Sequence, residues 1–203
     1  MSMTDSRTTV VSFDESVLER MVIAVEQVRD RLRRSTAALE KASVPYAVIG
    51  GNAVAAWVSK VDPAAARNTV DVDLLVRREN FEAAKLALES AGFEYSFTFG
   101  VQLFVDGPKG KAREGVHLMF ANEKVKPEYV APMPDVSAST REKALNVINL
   151  EELVIMKLTS LRDKDRAHLR DMIDVQLLDR TWLAKLPQEL ADRLKTILDT
   201  PEG

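Results

Sequence analysis

The sequence contains no cysteine among its 203 residues. This absence excludes a disulfide framework, a zinc site built on thiolates and a cysteine nucleophile, and it agrees with a reducing environment. Long apolar runs are also missing, because no stretch approaches the roughly 20 residues that a membrane-spanning helix needs. The N-terminal segment MSMTDSRTTVVSFDES lacks the basic-then-apolar layout of a secretory signal. We therefore expect a cytoplasmic protein with no membrane partner.

An excess of positive charge is absent as well, since the formal net charge is −3. No overall basic field would draw the chain onto nucleic acid, so a polyanionic partner would have to be held by a local patch. The hydrophobic share of 46% and the charged share of 29% are typical of a folded domain rather than a disordered chain. A P-loop is excluded too, because GPKGKA has neither its spacing nor its final hydroxyl.

Hydrophobic periodicity and turn residues predict an α+β fold, with a small mixed sheet flanked by an N-terminal helix and a C-terminal helical segment. The predicted segments are a mobile tail at 1–12, an N-terminal helix at 13–43, a core at 44–131, a linker at 132–148 and a helical region at 149–203. The linker is expected because three prolines fall between residues 122 and 148.

Within the core, the pattern predicts a strand at Tyr46–Ile49, a second at 70–76, a hairpin that turns near Gly100 and a further strand in VHLMFA. A helix lies between the first two strands. Such a connection favours parallel or mixed pairing with a right-handed crossover.

The stretch RNTVDVDLLV, residues 67–76, places two acids inside the second predicted strand. Asp71 and Asp73 project from one face because a strand repeats every two residues, whereas Val70 and Leu74 project toward the core. Two carboxylates about 7 Å apart along a strand repel each other unless a cation lies near them. Oxygen ligands at this spacing suit Mg²⁺ with substrate phosphates. Two ordinary acids on an exposed edge strand are the alternative.

A diglycine, Gly50-Gly51, separates the first strand from the helix that follows it. The first amides of a helix are free, and a glycine without Cβ lets a phosphate approach them. Asn52 is predicted to cap this helix. A simple tight turn is the alternative for the diglycine. Glycosyltransferases also use Asp-x-Asp, but they usually place several strand–helix units before it, and here only one strand precedes it.

Together, VIGGNAVAAW and RNTVDVDLLV resemble the nucleotidyltransferase superfamily with the DNA polymerase β-like fold, in which Gly-Gly or Gly-Ser precedes Asp-x-Asp. The chain looks most similar to small bacterial members of the abortive-infection toxin type, over about residues 44–180. The resemblance implies transfer of a nucleoside monophosphate from a nucleoside triphosphate to an acceptor hydroxyl of RNA, protein or a small molecule. Mg²⁺ or Mn²⁺ would be the cofactor, and an antitoxin or a second copy of the chain a partner.

The resemblance also implies roles for individual residues. Asp71 and Asp73 would hold the metal, and the amides of Gly50 and Gly51 would hold the triphosphate. Asn52 stands where the superfamily often has serine, and it would cap the helix or donate to a phosphate oxygen.

Two basic positions are further candidates for binding the nucleotide. Arg67 precedes the second strand and would reach a phosphate, although pairing with a surface acid explains it equally well. Lys157 lies in a largely apolar helix, and it would hold phosphate or base together with basic residues near 162–166. Snorkelling of its ammonium to the surface is the alternative.

The third carboxylate of the superfamily is missing, because the matching position in GVHLMFA holds His117. Imidazole suits zinc, copper or manganese better than Mg²⁺, but it also serves as a general base. Two hypotheses follow: an enzyme with a histidine base, or a catalytically degenerate nucleotide-binding or regulatory module, for instance in a toxin–antitoxin pair. A purely structural histidine is a third reading, and Glu114 or Asp106 would then be the substitute acids.

Overall fold

The computed structural model describes residues 15–98, 100–108 and 110–200, which form six α-helices and one mixed sheet of seven strands. The helices are α1 (Glu15–Lys41), α2 (Gly50–Val61), α3 (Phe81–Ser90), α4 (Leu150–Ser160), α5 (Asp163–Asp174) and α6 (Gln188–Asp199). The strands are β1 (Tyr46–Ile49), β2 (Val72–Val76), β3 (Phe93–Thr98), β4 (Val101–Asp106), β5 (Val116–Phe120), β6 (Ser139–Glu142) and β7 (Leu145–Ile148). The predicted α+β class with helical flanks is confirmed, and the tail predicted at 1–12 lies outside the described residues.

The strands lie in the order β3-β4-β5-β2-β1-β7-β6, so β2 and β1 occupy the centre of the sheet. Strand β2 is parallel to β5, and β1 is parallel to β7. The crossover expected between the first two strands is absent, because β1 and β2 pair antiparallel, with Ile49 opposite Asp73. The physical reason lies in residues 62–71, which return along α2 and contact its first turn. Strand β2 therefore begins beside the end of β1 and runs in the opposite direction.

The segment 132–148, predicted to be a linker, instead contains the hairpin β6–β7, which joins the sheet beside β1. The prolines that suggested the linker are Pro127, Pro132 and Pro134. All three precede β6, so they shape the approach to the hairpin and remove no hydrogen bond from its strands.

Apolar side chains of the two central strands form the middle of the core. All four residues of β1 are buried, and Leu74 and Leu75 of β2 are fully buried. The prediction that Val70 faces the core was wrong: it is 57% exposed, because the strand begins only at Val72. Among the helices of the described ranges, none is long and apolar enough to cross a membrane.

Candidate functional site

Strand pairing brings Asp73 and His117 together at the centre of the sheet. Asp73 lies opposite His117 in the parallel β2–β5 pair, and His117 Nδ1 lies 3.1 Å from Asp73 Oδ1. Burial alone would raise the pKa of Asp73, but the hydrogen bond and charge of His117 outweigh it and lower that pKa. The same hydrogen bond raises the pKa of His117. The two shifts have opposite directions, so the contact favours an ionised Asp73 carboxylate beside a protonated His117 imidazole.

Asp71 completes a cluster with this pair. One ligand atom from each of Asp71, Asp73 and His117 lies within 4.8 Å of the others. Two carboxylates suit Mg²⁺ or Mn²⁺, and the imidazole shifts the preference toward Mn²⁺. The donor set and its spacing therefore fit a divalent cation.

The diglycine turn packs directly against the acidic cluster. Gly50 has φ +66°, and a Cβ at this position would overlap the carboxylate of Asp73. A Cβ on Gly51 would lie 2.9 Å from the Thr69 side chain. Helix α2 begins at Gly50, and no side chain accepts a hydrogen bond from its first amides at the N-cap position. An anion can therefore approach these amides beside the two acids.

The structure does not place Asn52 at the cap of α2, as the sequence had predicted. The positive φ of Gly50 lets the helix begin directly after β1, so Asn52 lies inside its first turn. The Asn52 side-chain amide instead donates to the carbonyl oxygen of Asp71 at 2.8 Å.

Gly50, Asp71, Asp73 and His117 line one cavity of about 430 Å³. This volume falls in the range of small-molecule sites, roughly 300–1,000 Å³. Much of the remaining lining is apolar, with side chains that include Val101, Leu103, Met119, Val125, Met133 and Met156. The cavity thus joins a charged end to apolar walls.

A cluster from α4 and α5 adds positive charge to the cavity wall. Lys157 is only 4% exposed, and its Nζ lies 3.0 Å from Asp165 Oδ1. Arg162 Nε donates to Asp165 Oδ2 at 2.7 Å. All three residues line the cavity, as does Lys164, whose Nζ lies 3.9 Å from Asp71 Oδ2. Lys157 and Arg162 share the single carboxylate of Asp165, so this cluster carries a net positive charge close to Asp71 and Asp73.

The structure does not bring Arg67 into the cavity. Its Nε donates to Asp171 Oδ1 at 2.7 Å, and its side chain is 64% exposed. The alternative of an arginine paired with a nearby acid describes it better. Glu114 pairs with its neighbours Lys111 and Arg113.

Asp106 pairs with Arg34. Neither Asp106 nor Glu114 belongs to the carboxylate–imidazole cluster found in the described part of the chain.

Sequence reasoning missed Thr69 and Asp165. Thr69 Oγ1 donates to Asp71 Oδ1 at 2.6 Å, and its position two residues before Asp71 in RNTVDVD was the available signal. Asp165 is fully buried, yet it lies in the charged run RDKDR, where a sequence alone suggests a solvated turn.

Gly50→Ala should destabilise the protein more than Gly107→Ala. Gly107 has φ +69°, and a Cβ added there would meet no heavy atom within 4 Å. Its replacement by alanine therefore costs only the strain of an L-residue in the left-handed region, about 1–2 kcal/mol. The alanine at Gly50 adds a clash with Asp73, which we expect to cost roughly 1–3 kcal/mol more. Denaturant unfolding of both variants measures the difference. Equal losses would mean that Asp73 relaxes away from the turn freely.

Comparisons with known proteins agree with this geometry. The family model described as nucleotidyl transferase AbiEii toxin, type IV TA system, matches residues 32–201. No curated protein matches the chain significantly. An antigenic nucleotidyltransferase-like protein from Paracoccidioides brasiliensis has a similar crystal structure, with a TM-score of 0.58 and 21% identity over 87% of this chain and 89% of that one.

A crystal structure of a candidate nucleotidyltransferase from H. pylori is similar with a TM-score of 0.50 and 16% identity, over 94% of this chain and 80% of that one. At such identities these two likenesses show the fold alone. The family model, however, spans most of the chain, including the diglycine turn, the acidic cluster and Lys157. This chain therefore belongs to the nucleotidyl transferase AbiEii toxin family.

Proposed function

We propose that the protein transfers a nucleoside monophosphate from a nucleoside triphosphate to an acceptor hydroxyl on RNA, protein or a small molecule. The observation that carries the proposal is the convergence of Asp71, Asp73 and His117 on the Gly50 turn inside one cavity. Membership of a nucleotidyltransferase family supports the same reaction class.

Asp71 and Asp73 would hold Mg²⁺ or Mn²⁺, with His117 as their neighbour in the cluster. A divalent cation bound there would neutralise phosphate oxygens and stabilise charge on the attacking and leaving oxygens. The lowered pKa of Asp73 keeps its carboxylate ionised at neutral pH, which is the form that binds a cation.

The backbone and the basic wall would hold the triphosphate. No N-cap side chain accepts from the first amides of α2, so they would donate to an anion bound beside Asp73, whose carboxylate fills the space that the missing Cβ of Gly50 leaves. Lys157, Arg162 and Lys164 also line the cavity and add positive charge, and Lys164 Nζ lies 3.9 Å from Asp71 Oδ2. Together with the α2 amides, these basic groups would hold the phosphates beside the acidic cluster.

In the reaction, the acceptor oxygen attacks the α-phosphorus, and the bond from that phosphorus to the pyrophosphate oxygen breaks. The acceptor proton passes to neutral His117, which acts as general base. Asp73 holds the imidazole in place through the 3.1 Å contact at Nδ1. Pyrophosphate leaves, and the nucleoside monophosphate stays on the acceptor.

A second candidate function is a nucleotide-binding or regulatory module without turnover. The observation that favours it is that both ring nitrogens of His117 face acceptors, with Nδ1 3.1 Å from Asp73 Oδ1 and Nε2 3.4 Å from the Ala112 carbonyl oxygen. The hydrogen bond to Asp73 accordingly raises the pKa of His117. An imidazole that keeps its proton neither accepts one from a hydroxyl nor binds a metal.

The test is a transfer assay with each labelled nucleoside triphosphate, in Mg²⁺ or Mn²⁺, against total RNA, the protein itself and small hydroxyl compounds. We expect label on one acceptor class and none when EDTA removes the metal. Metal-dependent triphosphate binding without labelling of any acceptor would support the second candidate. Absence of both binding and labelling would contradict the proposed function.

His117→Asp separates the two candidates. If His117 is the base, activity should fall by about 100-fold or more, the range of general-base catalysis. If the site is degenerate, the restored carboxylate should create or raise activity. His168→Asn is the control, because His168 is the other histidine of the chain and does not line the cavity. Unchanged activity in His117→Asp would mean that His117 takes no part in the reaction.

A further inference from the structure

Asp71 lies outside the hydrogen-bonded ladder of the sheet. Strand β2 begins at Val72, whose pairing partners start at Val116, whereas Asp73 is held between β1 and β5. The ladder therefore fixes Asp73 on both sides, whereas the Asp71–Val72 peptide is held only on the β5 side, where the Val72 N–H donates to the Gly115 carbonyl oxygen at 3.1 Å. A side chain that holds a metal must be kept within about 0.5 Å of its working position. Other contacts have to supply that precision for Asp71.

Side chains from two helices hold the backbone carbonyl groups of Asp71 and of the residue before it. Asn52 Nδ2 of α2 donates to the Asp71 carbonyl oxygen at 2.8 Å. Arg31 Nη1 of α1 donates to the Val70 carbonyl oxygen at 3.1 Å, and Arg31 is only 5% exposed. These two hydrogen bonds replace the ladder for the residues just before β2.

The rotation of the Asp71 carboxylate is fixed separately by Thr69. Thr69 Oγ1 donates to Asp71 Oδ1 at 2.6 Å, so the hydroxyl proton is committed to one carboxylate oxygen. The other oxygen, Oδ2, lies on the side of Lys164, a cavity residue. Thr69 packs against Gly51, where any Cβ would lie 2.9 Å from it, so the diglycine turn also makes room for this threonine.

We propose that Thr69 and Asn52 are positioning residues that hold Asp71 for a divalent cation. Asn52 fixes the backbone of Asp71, and Thr69 fixes the orientation of its carboxylate. The proposal rests on the proposed function, because it assumes that Asp71 holds the metal. It also assigns Asn52 a role other than capping a helix or binding a phosphate.

Partners that hydrogen-bond a metal ligand orient it, and their loss typically weakens metal affinity 10–100-fold. Thr69→Val keeps the shape of the side chain and removes the hydroxyl. We therefore expect Thr69→Val to weaken Mn²⁺ binding by about tenfold, and Thr69→Ser to restore it. Asn52→Ala should weaken Mn²⁺ binding as well, because the Asp71 backbone loses its donor.

The experiment titrates Mn²⁺ into the full-length protein alone and follows the free ion by electron paramagnetic resonance. Thr181→Val is the matched control, since Thr181 Oγ1 donates to Asp179 Oδ1 two residues away at 2.5 Å and lies outside the cavity. It removes the same kind of hydrogen bond. Thermal unfolding of every variant identifies any general loss of structure.

The expected result is weaker Mn²⁺ binding in Thr69→Val and unchanged binding in Thr181→Val and Thr69→Ser. Unchanged affinity in folded Thr69→Val would overturn the proposal while leaving the metal site intact. Wild-type protein that binds no Mn²⁺, with or without a nucleoside triphosphate, would instead overturn the proposed function. Equal weakening in Thr69→Ser would show that packing against Gly51 matters and the hydroxyl does not.

Discussion

Replacing Asp71 and Asp73 together by alanine should abolish metal-dependent nucleoside triphosphate binding, with an affinity loss of about 100-fold or more. Both carboxylates belong to the cluster with His117 that could hold a metal ion, and the variant would keep only one imidazole nitrogen there. An isolated imidazole is a poor ligand for Mg²⁺, which prefers carboxylate and phosphate oxygens. The fold should persist, because relief of the repulsion between two like charges offsets the lost contact between Asp73 and His117.

Calorimetric titration of ATP and the other triphosphates, with Mg²⁺ or Mn²⁺ present, measures this loss. The matched control is Glu79→Ala with Glu82→Ala, which also removes two acids but from exposed positions at the start of α3. It changes the net charge equally. Triphosphate affinity that is unchanged in the Asp71/Asp73 variant, or lowered equally in both variants, would contradict the proposed site.

Asp165→Ala should cause a large loss of stability, about 3–5 kcal/mol in the free energy of unfolding. The Asp165 side chain is 0% exposed, and that of Lys157 is 5% exposed. Without Asp165, the ammonium of Lys157 stays buried with no carboxylate beside it. Arg162 is half exposed, so water can replace its lost hydrogen bonds to Asp165. Most of the lost stability should therefore come from the buried charge of Lys157.

A double-mutant cycle with urea unfolding measures this effect. Lys157→Met should cost less than Asp165→Ala, because Asp165 keeps Arg162 and the hydroxyl of Ser160 as partners. Glu26→Ala is the surface control, since it breaks an exposed ion pair with Arg29 and should change stability little. If Asp165→Ala and Glu26→Ala cost the same, the Lys157–Asp165 pair contributes no more than a surface contact.

The contribution of Asp165 also depends on pH with a defined sign. Burial alone would raise the pKa of Asp165, but hydrogen bonds from Arg162 and the charge of Lys157 outweigh it and hold the pKa below its ordinary value. A carboxyl with a lowered pKa in the folded state stabilises the fold above its unfolded pKa of about 3.9. The difference between wild type and Asp165→Ala should therefore be constant near neutral pH and shrink below about pH 4.

Local pattern was enough to predict most of the elements. The three- and four-residue spacing in α1 and the aromatic and β-branched residues around Gly100 are local signals, so both the helix and the hairpin were predicted correctly. The Asp-x-Asp spacing likewise indicated that Asp71 and Asp73 would project together. The hairpin β6–β7 was not predicted, because its short strands follow a run of prolines and gain stability only by pairing beside β1.

Long-range contacts decide what local sequence left open at the site. Arg67 was a phosphate candidate with pairing to a surface acid as an equal alternative, and its partner Asp171 is distant in sequence. Asn52 looked like a cap because the start of α2 was placed two residues late. Its true partner, the Asp71 carbonyl, becomes available only when residues 62–71 return along α2.

The sequence by itself determined the identity of the chemical groups: two acids at strand spacing, a diglycine before a helix and a histidine in the strand VHLMF. These features are local, so periodicity and residue chemistry reveal them. Only the tertiary structure decided which groups meet. Strand β2 pairs with β1 on one side and β5 on the other, and this pairing sets Asp73 against both Gly50 and His117. The tertiary structure also buries Lys157 and Asp165 as an ion pair, because a charge removed from water needs an opposite charge beside it.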